Sequence, residues 1–353
     1  MKRIITSITA CALLASACEN SFETQKDLNQ EEQTELIPIS LQINGASTKA
    51  AESFSTENQI DDLQVFVYKV DSKGSKSYDS YYSFDGEHEN QTIYVDPNCD
   101  AASYWIVAYA NHPKISISET LQDWSLFSNE SSSKFQMVGK CEITAEKILA
   151  DKAVDIHLLR QCSKVSVDMI ELSWKNTANR YKTFKLKGMY LMDVPGVIKN
   201  YFDINPEIMT DYSLWVNKNG YSSSQYDALL YDQIPEKDIS EEASYNTGHV
   251  FYGYISPQTT YNNNATWAPG GTRLVIEAEF DGKPSYYAVG LNGIGDKSAY
   301  EDLRNMHIKF NKITITRPGA DAPYKALPEE SPLTVSVSVL DWDSGYSGNY
   351  TIQ

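Results

Sequence analysis

Hydrophobic and polar positions alternate with a period of two along much of this 353-residue chain. Near its end Leu333, Val335, Val337 and Val339 alternate with Thr334, Ser336 and Ser338. Successive side chains of an extended chain point to opposite faces, so this strand carries aliphatics on one face and small hydroxyls on the other. Just upstream, Ile308, Phe310, Ile313 and Ile315 form another β-rich run that ends in the turn signal Arg317-Pro318-Gly319. After the last strong strand comes a tail, Asp341 to Gln353, with Trp342, Tyr346, Tyr350 and Ile352 among Gly, Ser and Asp. Such a tail either pairs with its own sheet or with another molecule's.

The same period marks the earlier chain. In Leu36 to Asn44, Ile37, Ile39, Leu41 and Ile43 alternate with Pro38, Ser40 and Gln42, and Pro38 places this strand at a sheet edge or at a strand start. Gly45 to Ser53 follows, small and polar with the single basic residue Lys49, a segment of the kind proteases cut. Ile60 to Val70 sets Leu63, Val65 and Val67 on one face and Gln64, Phe66 and Tyr68 on the other, and runs into a hairpin-type loop, Asp71 to Gly74. Gln91 to Val95, Tyr104 to Tyr109, Phe135 to Val138 and Ala153 to Leu159 read as further strands, and Ser118 to Phe127 as a short helix. A second set opens at Ser163 to Leu172, with Val165, Val167 and Met169 against Ser166, Asp168 and Ile170. It continues through Thr183 to Asp193, Val250 to Ile255, Arg273 to Phe280 and Ser285 to Val289. Ile198 to Ser240 is polar and reads as loops. No helical period persists over three turns. The class predicted is all-β: two sandwiches, residues 36–161 and 162–353, with the break near Gln161.

The first residues are a different kind of segment. Lys2 and Arg3, the short apolar run Ile4 to Leu14, and Ala15-Ser16-Ala17 before Cys18 read as a secretory signal over residues 1–17. The run is too short for a membrane span, which needs about 20 residues. The ending resembles a bacterial lipobox, which predicts lipidation of Cys18; plain cleavage after Ala17 is the alternative. Residues 18–35, acidic and poor in apolar groups, read as a tether.

Charge and composition narrow the function. The formal net charge of −17 becomes −19 once Lys2 and Arg3 leave with the signal, and no basic block exists, which argues against nucleic-acid partners. Cys99, Cys141 and Cys162 beyond the leader are neither a disulfide framework nor a zinc motif; the two readings are plain thiols or one Cys99–Cys141 bridge. The five histidines have no metal spacing, no G-x-S-x-G elbow occurs, and Gly290 to Gly295 has the wrong offsets for a dinucleotide site. Asp341 to Gly345 lacks the distal ligands of a calcium loop. The expectation is therefore no enzyme, no cofactor and no metal. Tyr201, Tyr212, Trp215, Tyr221, Tyr226, Tyr261 and Trp267 crowd one region and offer an aromatic platform for a glycan, the alternative function for a surface lipoprotein.

Several segments together resemble the fimbrillins, the β-sandwich pilins of Bacteroidales type V pili. They are the lipobox with its tether and first strand, Ser47-Thr48-Lys49-Ala50, Ile60 to Gly74, Ala110-Asn111-His112-Pro113, Leu158-Leu159-Arg160 leading into Ser163-Lys164-Val165, and Arg304-Asn305-Met306-His307 with Val339-Leu340-Asp341-Trp342. The resemblance implies two transthyretin-like sandwiches and export as an outer-membrane lipoprotein to a cell-surface fimbrium serving adhesion. It implies cleavage by a trypsin-like protease between Lys49 and Ala50, which removes the strand of Ile37, Ile39, Leu41 and Ile43. It further implies a donor strand within Leu333 to Gln353, containing Leu333, Val335, Val337 and Val339, that enters the vacated groove of another pilin subunit. An uncut anchor or accessory subunit, whose C-terminus closes its own sheet, is the other form the resemblance allows. A host or glycan ligand would be a further partner.

Overall fold

The computed structural model describes residues 36–44, 57, 59–86, 90–96, 100–115, 124–173, 183–199, 212–222, 226–238, 244–256, 258, 260–291, 303–341 and 347–352. The architecture is all-β, as the alternation predicts.

The first half contains β1 (Ile37–Asn44), β2 (Asp62–Val70), β3 (Lys76–Asp85), β4 (Asn90–Val95), β5 (Ser103–Ala110), β6 (Trp124–Leu126), β7 (Met137–Thr144), helix α1 (Ala145–Asp151), β8 (Ala153–His157) and β9 (Leu159–Arg160). A three-stranded sheet, β4-β1-β8, and a five-stranded sheet, β3-β2-β5-β7-β9, share one core. Alternation decides who enters it. Leu63, Val65 and Val67 of β2 do, while Phe66 joins Val107, Tyr109 and Val138 in a cluster on the other face of the five-stranded sheet. The loop from β2 to β3 turns at Gly74, whose φ of 82° suits a residue without Cβ.

The second half contains β10 (Ser163–Leu172), β11 (Phe184–Met192), β12 (Val197–Lys199), helix α2 (Asp227–Leu230), β13 (Tyr231–Asp238), β14 (Ser244–Gly253), β15 (Arg273–Phe280), β16 (Lys283–Gly290), β17 (Met306–Ile315), β18 (Leu333–Asp341) and β19 (Ser347–Ile352). Sheets β14-β10-β17-β18-β19 and β13-β11-β15-β16 enclose a larger core, to which Phe127 and Phe135 of the first half also belong. The halves are joined further by antiparallel pairing of β6 with β12 and by the buried Arg160, whose Nη1 donates to Asn305 Oδ1 at 2.8 Å. Buried Glu130 accepts from Gln136 N and from Tyr254 OH, at 3.0 and 2.8 Å. Burial pushes its carboxyl up to about 7.

Four expectations change. Ser118 to Phe127 is not a helix where it is described: residues 124–126 are β6 and a 3₁₀ turn starts at Phe127. Ile198 to Ser240 holds β13, α2 and part of β12 rather than loops alone. Helix α1 occupies a stretch to which the alternation assigns no element; Thr144 caps it by accepting from Lys147 N at 3.3 Å. In β10 a bulge between Val167 and Met169 changes the phase, so Ile170 and Leu172 follow Val165 and Val167 into the core and Met169 does not.

Candidate assembly site

β1 sits between two partners. It runs antiparallel to β4, with Ile39 opposite Ile93, and parallel to β8, with Leu41 opposite Val154 and Ile43 opposite Ile156. Ile39 and Leu41 are fully buried and Ile43 is 6% exposed, so the strand supplies the centre of the first core. Of the two places Pro38 allows, a sheet edge or a strand start, the structure shows the second: Pro38 is the second residue of an interior strand. The β8 ladder begins only at Ser40, whose N–H donates to Lys152 O at 2.8 Å, so the N–H that proline lacks falls ahead of that ladder. On the far side of β4, the Tyr82 hydroxyl accepts from Tyr94 N and donates to Tyr94 O, both at 2.9 Å, which ties β4 to the facing sheet independently of β1.

Cys18, Lys49 and Ala50 lie outside the described residues. Just beyond the segment holding Lys49, Glu57 is moored where the two halves meet. Its carboxylate accepts from Lys164 Nζ at 2.7 and 3.0 Å and from the Tyr252 hydroxyl, and its carbonyl accepts from Arg160 Nε at 3.0 Å. The chain on either side of the expected cut is thus held differently: β1 by the first core, Glu57 where the halves meet, by β9, β10 and β14.

At the C-terminus, β18 is an interior strand. It pairs antiparallel with β17, Leu333 opposite Ile315, Val335 opposite Ile313, Val337 opposite Phe310 and Val339 opposite Ile308. Val335 and Val337 are buried in the second core. The outermost strand of that sheet is β19, paired with β18 so that Tyr350 is opposite Val337 and Ile352 opposite Val335. The tail pairs with its own sheet in this monomer.

The aromatic region does not form one flat platform. Trp215 is buried and meets Trp267 with ring centroids 5.6 Å apart, while Tyr226 packs on Phe127. Tyr261 lies under the Arg273 guanidinium at 5.7 Å, and Tyr201 lies outside the described residues. Trp215 and Tyr221 instead wall a cleft that also involves Tyr190, Glu277 and Tyr286. These last three were not legible as site residues, because β11, β15 and β16 bring them together across the sheet. Cys141 and Cys162 are free thiols, and Cys99 lies outside the described residues; burial raises both thiols above the ordinary range. Among the described residues no group of three His, Cys, Asp or Glu could hold a metal.

The folding pattern defines a class: tandem β-sandwiches whose first strand is central to the first core and whose last strand is the rim of the second. Comparison with known proteins gives the family likeness. Residues 37–151 match the family of the major fimbrial subunit protein (FimA). The fold as a whole resembles a crystallised fimbrilin from Porphyromonas gingivalis, with a TM-score of 0.56, 15% identity, and coverage of 89% of this chain and 99% of that one. It also resembles two candidate cell adhesion proteins. One, from Parabacteroides distasonis, has a TM-score of 0.58 and 14% identity, with 89% of this chain and 99% of that chain covered. The other, from Bacteroides eggerthii, has a TM-score of 0.57 and 14% identity, with coverage of 87% and 96%. No curated protein sequence matches. The chain is thus fimbrillin-like in fold, and its first sandwich carries the FimA family match.

Proposed function

We propose that the protein is a structural subunit of a cell-surface fimbria serving adhesion, exported as an outer-membrane lipoprotein through Cys18 and assembled by strand exchange. A trypsin-like protease cuts between Lys49 and Ala50, β1 leaves, and the C-terminal tail of another subunit takes its place.

The observation that carries this reading is the position of β1. Its loss would open a slot between β4 and β8, with unpaired backbone groups on both sides and an apolar floor. Each buried aliphatic of β1 is worth about 1.5–3 kcal/mol, so an empty slot selects strongly for an alternating strand. The tail from Asp341 to Gln353 has that alternation: Trp342, Tyr346, Tyr350 and Ile352 share one parity, and Asp341, Asp343, Ser347, Asn349 and Thr351 the other. Because β19 is outermost in its sheet, its departure costs one ladder rather than two. β18, buried between neighbours, stays with its own sandwich.

The test mixes trypsin-cut subunits and runs them unboiled on a denaturing gel. Ladders are expected from the full chain and none from a chain ending at Asp341. Ladders that persist without the tail would place the contact elsewhere, and an uncuttable, unassembled protein would be the anchor or accessory form.

A further inference from the structure

The sheet β13-β11-β15-β16 has one face in the second core. Its other face carries a separate cluster of Tyr190, Met192, Val275 and Ala288, packed with Tyr221, Tyr231 and Tyr286. The floor is set by cross-strand register: Tyr190 pairs with Tyr231 across β11 and β13, and Glu277 with Tyr286 across β15 and β16. Residues 213–222 and Pro323 rise over this floor and leave a cleft of about 750 Å³. That volume is within the usual range of small-molecule sites, roughly 300–1,000 Å³.

The walls are built into the sandwich. Val194 and Val216 form a bridge, and Asn217 Nδ2 donates to Leu191 O at 2.8 Å, strapping the upper wall to the end of β11. Beneath it Arg273 and Asp193, both fully buried, pair at 3.1 Å, and Trp267 Nε1 donates to Asp193 Oδ1 at 2.8 Å. Trp267 in turn supports Trp215. At Gly220, φ is 144° and a Cβ would lie 2.6 Å from Pro323 Cγ, so the wall closes only with glycine there. Trp215, 5% exposed, backs the wall of the cleft, and its indole N–H is buried with no acceptor among the described residues.

We propose that this cleft binds a neutral oligosaccharide. Ring surface from Tyr286 and from Tyr221, which is stacked on Tyr231 at 3.8 Å, suits the apolar C–H faces of pyranose rings. Glu277 and Asn219 are the polar groups that hydroxyls pair with. One carboxylate and one ammonium, Glu277 and Lys218, are both among the lining residues, so no single ligand charge is selected. An acyl chain would desolvate Glu277 and the amides without return. A peptide strand would add at a sheet edge, whereas this cleft lies over a sheet face. The proposal stands apart from strand exchange, which uses the other sandwich and the C-terminal tail.

The test titrates the mature chain with trisaccharides of mannose, glucose, galactose and N-acetylglucosamine, followed by tryptophan emission and calorimetry. Saturable binding of at least one is expected, weakened at least tenfold in Tyr221→Ala and in the near-isosteric Glu277→Gln, and unchanged in Tyr78→Ala on the first sandwich. No saturable binding of any of the four would overturn the proposal. So would wild-type affinity in a Glu277→Gln protein that melts normally. Subunit ladders should form equally in all these variants, so failure here leaves the assembly reading intact.

Discussion

Leu41→Ala is the sharpest probe of the first strand. Leu41 is fully buried in a central strand, opposite Gln91 on one side and Val154 on the other. Truncating a leucine in such a place removes transfer free energy and leaves a cavity, at a cost of about 2–5 kcal/mol. For a sandwich of this size each kcal/mol lowers the melting temperature by roughly 3–5 °C, so the uncut variant should melt roughly 6–25 °C below wild type. The same substitution then tests exchange. After cutting at Lys49 and assembly, Leu41 belongs to the released peptide, and the melting curves of variant and wild type should coincide. The variant should also assemble faster, since its strand leaves more easily. Calorimetry on the uncut and the cut, assembled proteins decides the matter. If the variant remains the less stable of the two after cutting, β1 has stayed in its slot and the exchange scheme is wrong. If the uncut variant melts like wild type, β1 is not the core strand its burial indicates.

Four further outcomes follow from other parts of the molecule. Limited trypsin should cut after Lys49 before internal sites such as Lys185 of β11, with Ala50 as the new N-terminus by mass spectrometry; earlier cleavage at Lys185 would contradict this. Val337→Asp places an unpaired carboxylate in the second core and should abolish folding of the uncut subunit by circular dichroism, unlike removal of the tail, which should leave the monomer folded. Arg273→Leu strands buried Asp193 without its cation and should cost about 3–5 kcal/mol in denaturant melts. Because burial lifts Glu130 above the usual carboxylate range to about 7, its neutral form is favoured in the folded state. Stability should fall as pH rises from about 4.5 to about 7, and Glu130→Gln should flatten that limb.

Strict alternation made most strands legible: β2, β15, β17 and β18 lie where the period placed them. The misreadings have local physical causes. Pro38 left an edge and a strand start open, and only the pairing decides for the start, the parallel ladder beginning two residues later. The glycine at this irregularity, Gly248 with φ of 61°, lies on the partner strand β14 and nothing in β10 itself announces it, so the alternation groups Met169 with Val165 and Val167. α1 spans two turns and depends on a cap at Thr144, too little for a periodic signal. Of the aromatic cleft, Trp215 and Tyr221 were visible in a crowded stretch of rings. Tyr190 and Glu277, 87 residues apart in sequence, meet only through the β11–β15 ladder, which no single stretch encodes.

The slot that β1 fills has a direction. One wall, β4, runs against it and the other, β8, runs with it, so a replacement strand keeping the same ladders must enter with β1's own polarity. In the proposed exchange the acceptor would belong to the first sandwich and the tail to the second, so the contact would be heterologous: two subunits joined by one such contact would not be related by a two-fold axis. Repetition of a heterologous contact that does not close into a ring generates an open, polar filament. Such a filament has unlike ends, one presenting a vacant slot or an uncut first strand and the other an unengaged tail. Growth and termination at its two ends are therefore separate chemical problems.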